Sequence, residues 1–188
     1  MLSVIAELLL TLACAVAAGF SLREQQGWRA LGFLSMGIAA LLGALEYGGI
    51  AVLGEPHHLA SLVSAAVGLP LIALGRLAGA PVQRAVVLLA CMALVMLPSQ
   101  VTLPSNLVAL LVIAWPGRSR RYPLALLGAL LFIGSGLLIG TRGELAGVPR
   151  RELFHLGLTL AIAAWAFAGL GSGLPRLSRA LAVRHKLP

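Results

Sequence analysis

The stretch RRELFHLGLTLAIAAWAFAGLG, residues 150–171, decides the fold. It opens on three charges and a histidine and then runs apolar to Gly171. It has the length of a transmembrane helix, which needs about 20 mainly apolar residues. Glu152 and His155, three residues apart, share one face of that helix. They stand where it enters the bilayer, and an ionisable residue at that depth is costly and marks a functional site by default.

Working outward, six further apolar segments precede it. The expected helices are about 2–22, 28–53, 58–77, 82–97, 103–115, 122–139 and 152–171, followed by a basic tail over 172–188. Hydrophobic residues make up 60% of the 188 and charged residues only 11%, where soluble domains carry about 25% charge. The chain is therefore read as one all-α domain, a polytopic integral membrane protein built as a seven-transmembrane-helix bundle. Segments four and five are short. A re-entrant pair there, leaving six helices, is the alternative. Pro70 predicts a kink in segment three. Cys14 and Cys91 lie in apolar runs without ligand spacing and read as packing residues.

The net charge of +8 does not indicate nucleic acid, because the basic residues sit in short loops between apolar segments. Of the 14 Lys and Arg residues, 11 fall in odd-numbered loops and the tail: Arg23, Arg29, Arg76, Arg84, Arg118, Arg120, Arg121, Arg176, Arg179, Arg184 and Lys186. Only Arg142, Arg150 and Arg151 fall in even-numbered loops. The positive-inside rule then puts the N-terminus outside and the C-terminus in the cytoplasm of a bacterial inner membrane. Residues 1–19 read as a true first helix rather than a signal peptide, since they carry Glu7 and no basic n-region.

With that topology, depth follows from about 1.5 Å per residue. Glu7 opens segment one, and Glu46 and Tyr47 lie near the outer end of segment two. His57 and His58 open segment three, and Glu152 and His155 open segment seven. These groups gather in the outer third of the membrane, with Ser61, Ser64, Gln100, Ser105 and Asn106 as a polar stripe and lid. Ser35 lies deeper on the face of Glu46. Glu46 and His155 are expected to pair as catalytic groups, with Glu7 or Glu152 orienting the imidazole. Glu7, Ser35, Tyr47, Glu152, Arg150 and Arg151 are the expected ligand-binding residues, the two arginines docking an anionic head. His57, His58 and His155 are the expected metal ligands, and zinc with an open position is the metal such a set would take. No HExxH, GxSxG or P-loop pattern occurs. No Lys stands within a segment, which argues against a retinal Schiff base.

Helix count, orientation, Ser35 and Glu46 on helix two, His57 or His58 at helix three and His155 at the start of helix seven resemble the seven-helix membrane hydrolase superfamily. That superfamily includes alkaline ceramidases, adiponectin-type receptors and lysoplasmalogenases. Its final helix usually offers HxxxH, whereas Thr159 stands four residues after His155. The resemblance implies a divergent bacterial branch, with a metal-bound water acting on lipid amides or ethers. Two function classes stay open from the sequence. One is an outer-facing acid/histidine pocket that binds a lipid or small amphiphile, as a metal-dependent lipid hydrolase. The other is a non-enzymatic accessory or sensor subunit of a larger membrane assembly, with partner subunits or further copies of itself. Membrane lipids are the expected partners in both.

Overall fold

A computed structural model describes residues 1–75, 80–97 and 99–170. The end of expected segment three and the tail over 172–188 lie outside the described residues. Seven α-helices follow in order: α1 Leu2–Arg23, α2 Gly27–Tyr47, α3 Gly54–Leu74, α4 Pro81–Met96, α5 Ser99–Ile113, α6 Tyr122–Ile133 and α7 Arg150–Ala168. A 3-10 turn, Ala51–Leu53, leads into α3, and a π-helical turn, Gly134–Ile139, prolongs α6. Four of these spans are long and apolar enough to cross a membrane: Leu2–Arg23, Gly27–Tyr47, Ala51–Leu74 and Tyr122–Ile139.

Several boundaries differ from the sequence reading, each for a local reason. Segment two was expected to run to Leu53, but α2 ends at Tyr47 because Gly48 caps it and Gly49 turns at φ 110°. Glu46 therefore lies in the last turn of α2. The helix α3 runs through Pro70, which removes one ladder bond without ending the helix. The helix α7 begins two residues early, at Arg150, and stops at Gly169 in the left-handed conformation that glycine tolerates. Between α6 and α7 a two-residue hairpin pairs Glu144–Leu145 with Val148–Pro149. Its turn, Ala146-Gly147, has positive φ at both residues, as a type I′ turn requires.

The helices close a ring. Each of α1, α2, α3, α5, α6 and α7 packs on the next, and α7 returns to α1. The helix α4 stands outside the ring against α3 and buries none of its side chains. Small residues let the backbones approach, as in lipid-embedded bundles. A Cβ on Gly32 of α2 would lie 2.6 Å from the Gly68 carbonyl oxygen and 2.9 Å from the Ile72 nitrogen of α3. One on Gly128 of α6 would meet the Trp165 indole and the Ala161 carbonyl of α7. The core between them holds Cys14, Phe33, Leu69, Ile72, Ile162 and Trp165, and the Trp165 indole N–H donates to the Ala125 carbonyl at 3.1 Å.

At the end of the ring where α1 meets α2, Arg29 is buried at 4% exposure. Its guanidinium donates to the carbonyls of Ile72, at 3.3 Å, and Leu170, while its backbone N–H donates to the Gly75 carbonyl. Arg118 donates to the Ala73 carbonyl at 2.5 Å. A cation at these helix C-termini matches the negative end of the macrodipole and satisfies carbonyls that the ladder leaves open. Arg29→Leu should cost about 2–3 kcal/mol, the range for losing charged hydrogen bonds at a buried site. A thermal midpoint in detergent equal to that of the wild type would show these carbonyls to be satisfied otherwise.

Candidate functional site

The ring surrounds a partly open cavity of about 500 Å³. All six ring helices line it, and α4 contributes no described residue. Its walls are apolar: Leu10 from α1, Met36, Ala39 and Ala40 from α2, Leu69 from α3, Leu103, Leu107 and Leu110 from α5, Phe132 and Ile133 from α6, and Phe154, Leu158 and Ile162 from α7. Gly136 and Leu137 of the π turn complete the wall, and π turns recur at functional sites. The size falls in the roughly 300–1,000 Å³ range of small-molecule pockets. The polar lining comes from Glu7, Tyr47, His57, Ser61, Ser64, Asn106, Thr141, Arg151 and His155.

Two carboxylate–imidazole contacts organise these polar groups. His57 Nδ1 lies 2.6 Å from Glu46 Oε2. His155 Nε2 lies 3.4 Å from Glu7 Oε1. Glu7 is 1% exposed, and among the described residues neither of its oxygens has a hydrogen-bond partner. The two contacts meet over Gly43 of α2, where a Cβ would lie 2.9 Å from Glu7 Oε1 and 3.0 Å from His57 Nε2. Glu7 thus contacts one imidazole, that of His155, and shares the space over Gly43 with Nε2 of the other, that of His57, which Glu46 holds at Nδ1. The Tyr47 ring packs edge-on to His57 at 5.6 Å, with the Arg151 guanidinium 4.2 Å from its centroid. Thr11 and Thr159 each donate to the carbonyl one turn back, those of Glu7 and His155.

The expected pairing of Glu46 with His155 is exchanged. Glu46 takes His57, because the tight turn after α2 brings the start of α3 back beside the last turn of α2. His155 takes Glu7, because α7 packs on α1. The expected set of three histidine ligands is not assembled either. His57 and His58 are neighbours on α3, about 100° apart around the helix, so only one faces the cavity. His58 is exposed and does not line it. Among the described residues, no group of three His, Cys, Asp or Glu side chains is placed to hold a metal ion, so the donor set does not fit the expected zinc.

Three of the expected ligand-binding residues do not line the cavity, and each makes a contact within the bundle. Ser35 donates to the Gly32 carbonyl at 2.8 Å and faces Gly68 of α3. Arg150 donates to the Ile139 carbonyl at the end of the π turn. Glu152, 6% exposed, accepts from Ser3 at 2.8 Å and so ties α7 to the start of α1. Arg151 also donates to Ser3, at 3.3 Å, but lines the cavity as expected, together with Glu7 and Tyr47. Of the expected lid, Asn106 lines the cavity and donates to the Ala65 carbonyl at 2.9 Å. Ser105 does not line it, and the Gln100 side chain lies outside the described residues. Gly43 and the π turn are the site elements that sequence reasoning missed. Gly43 had a signal, since it stands one turn before Glu46 with Ala39 one turn further back, small residues on one helix face. Nothing in the sequence marks the π turn.

Compared with known proteins, the chain matches no family model, no curated protein and no solved structure.

Proposed function

We propose that this protein is a multi-pass, seven-span inner-membrane protein, N-terminus outside, whose cavity binds a lipid or small amphiphile. The observation that carries this reading is the joining of a long apolar wall to one cluster of acid, imidazole and guanidinium groups in a single cavity. Such a cavity accepts a chain along its walls and a polar head at His57, His155 and Arg151. The loop charges support the orientation, since the cluster lies at the end away from Arg23, Arg29 and Arg118.

Gly136 supplies the test. Gly136 lines the cavity and a Cβ added there has no heavy atom within 4 Å, so Gly136→Phe adds bulk at the cavity wall with no clash at its first carbon. A fluorescent single-chain lipid should bind the purified wild type saturably. Gly136→Phe should weaken it at least about tenfold, or about 1.4 kcal/mol, at an unchanged thermal midpoint. Equal binding by both forms would exclude the cavity as the site. No binding by the wild type would favour the accessory-subunit role instead.

The Glu46–His57 contact supports a second reading, hydrolysis of a lipid amide or ester. A carboxylate on Nδ1 fixes the imidazole tautomer and leaves Nε2 to take a proton from water. On this reading purified protein releases fatty acid from such lipids, and Glu46→Gln lowers the rate far more than it lowers lipid binding. Fatty-acid release that persists undiminished in His57→Asn would remove the dyad from the reaction.

A further inference from the structure

At the opposite end from the cavity's polar cluster, a groove of about 360 Å³ opens between the ends of α1 and α7. Its basic lining comes from Arg23 of α1 and from Arg120 and Arg121 of the segment before α6. Glu24 is the one acid lining it. No ion pair to Arg23, Arg120 or Arg121 occurs among the described residues. The arginines from the α5–α6 connection are held in place by backbone. The Arg120 N–H donates to the Gly169 carbonyl at 3.2 Å, and the Arg121 N–H donates to the Ala168 carbonyl at 3.0 Å. The aliphatic stem of Arg120 also lies across Gly169, where a Cβ would come within 3.2 Å of it.

The apolar surroundings of the groove identify its occupant. Phe20 and Phe167 line it with ring centroids 6.3 Å apart. Phe20 continues an exposed stripe with Val16 and Leu12, spaced four residues apart along one face of α1. Phe167 lies seven residues, two helical turns, from exposed Leu160 on α7. Two apolar tracks on adjacent helices thus lead into one basic groove. A soluble anion would use the arginines and leave the tracks idle. A phospholipid uses both, with its phosphate among the guanidinium groups and its chains along the tracks. We infer that this groove is a site for an anionic phospholipid, its phosphodiester held by Arg23, Arg120 and Arg121. This goes beyond the cavity and does not depend on what the cavity binds.

The test is lipid-dependent thermal stability of the purified full chain in a neutral detergent. Phosphatidylglycerol, phosphatidylcholine of the same chains, and inorganic phosphate are added separately. Phosphatidylglycerol should raise the midpoint more than phosphatidylcholine, and inorganic phosphate should not raise it. Apparent affinity for phosphatidylglycerol should fall about fivefold for each arginine lost in Arg23→Gln, Arg120→Gln and Arg121→Gln, following roughly 1 kcal/mol per basic residue at a membrane surface. Arg142→Gln, in the α6–α7 connection, should leave it unchanged. Equal stabilisation by both lipids overturns the proposal, and so does an equal effect of Arg142→Gln. Stabilisation by inorganic phosphate matching that of the lipid would make this a soluble-anion site and overturn the lipid assignment. The three single variants keep the test decisive should any one of them fail to fold.

Discussion

Gly32→Ala should destabilise the protein by about 3 kcal/mol, at the upper end of the cost of overpacking. The reason lies in what the added methyl meets. At Gly32 it reaches the α3 backbone at two points one turn apart, the Gly68 carbonyl oxygen at 2.6 Å and the Ile72 nitrogen at 2.9 Å. Neither can swing away as a side-chain tip would, so α2 and α3 must separate along their length. That separation also loosens Arg29 from the Ile72 carbonyl. Gly19→Ala is the internal control, since nothing lies within 4 Å of its added carbon. There alanine's better helix propensity, worth about 1 kcal/mol over glycine, should hold or raise the midpoint. Equal midpoints for the two variants would refute the close α2–α3 packing.

Gly43→Ala should behave in the opposite way, keeping the fold and losing the site. Its added methyl meets only the ends of two side chains, Glu7 Oε1 at 2.9 Å and His57 Nε2 at 3.0 Å. Those ends can give, so the cost to stability stays near 1 kcal/mol and is offset by helix propensity. Giving way, however, displaces the Glu7 carboxylate beside His155 or the His57 ring from its place over Gly43. Binding of the single-chain lipid should weaken about tenfold or more, or about 1.4 kcal/mol. Wild-type affinity in Gly43→Ala would show that the head does not touch this cluster.

The helices and the level of their polar groups were legible because both depend on distance along the chain. Hydropathy marks a span, and about 1.5 Å per residue converts position into depth. Which polar groups face one another depends on the rotation of each helix about its axis, and a single sequence constrains that weakly. Ser35 and Glu46 share a face of α2 at three turns' separation, and that face turns to α3, Ser35 to Gly68 and Glu46 to His57, rather than to α7. The Glu46–His57 partnership was nonetheless readable. A chain reversal at Gly48-Gly49 brings the start of the next helix beside the end of the last, so a histidine 11 residues on is a nearer base than one on α7. The Arg150 contact with the Ile139 carbonyl was not legible, because a guanidinium beside a membrane span reads equally as a ligand for anions and as a cap for carbonyls. The α1–α7 closure that puts His155 beside Glu7 is long-range and left no local sign.

The position of α4 has a consequence for the bilayer itself. At 16 residues it is about 24 Å long, and α5, also packed on α3, is about 22 Å at 15 residues. The hydrocarbon core of a typical bilayer is about 30 Å thick. On the seven-span reading, one flank of the protein is thus several ångströms shorter than the membrane around it, while α1, at 22 residues and about 33 Å, matches it. Hydrophobic mismatch on one side only thins the bilayer there or tilts the whole ring towards that side, at a fraction of a kcal/mol per ångström. The α3–α4–α5 flank then favours thin, short-chain surroundings, and shortening or lengthening the host lipid's chains becomes a way to tilt the ring without altering a residue.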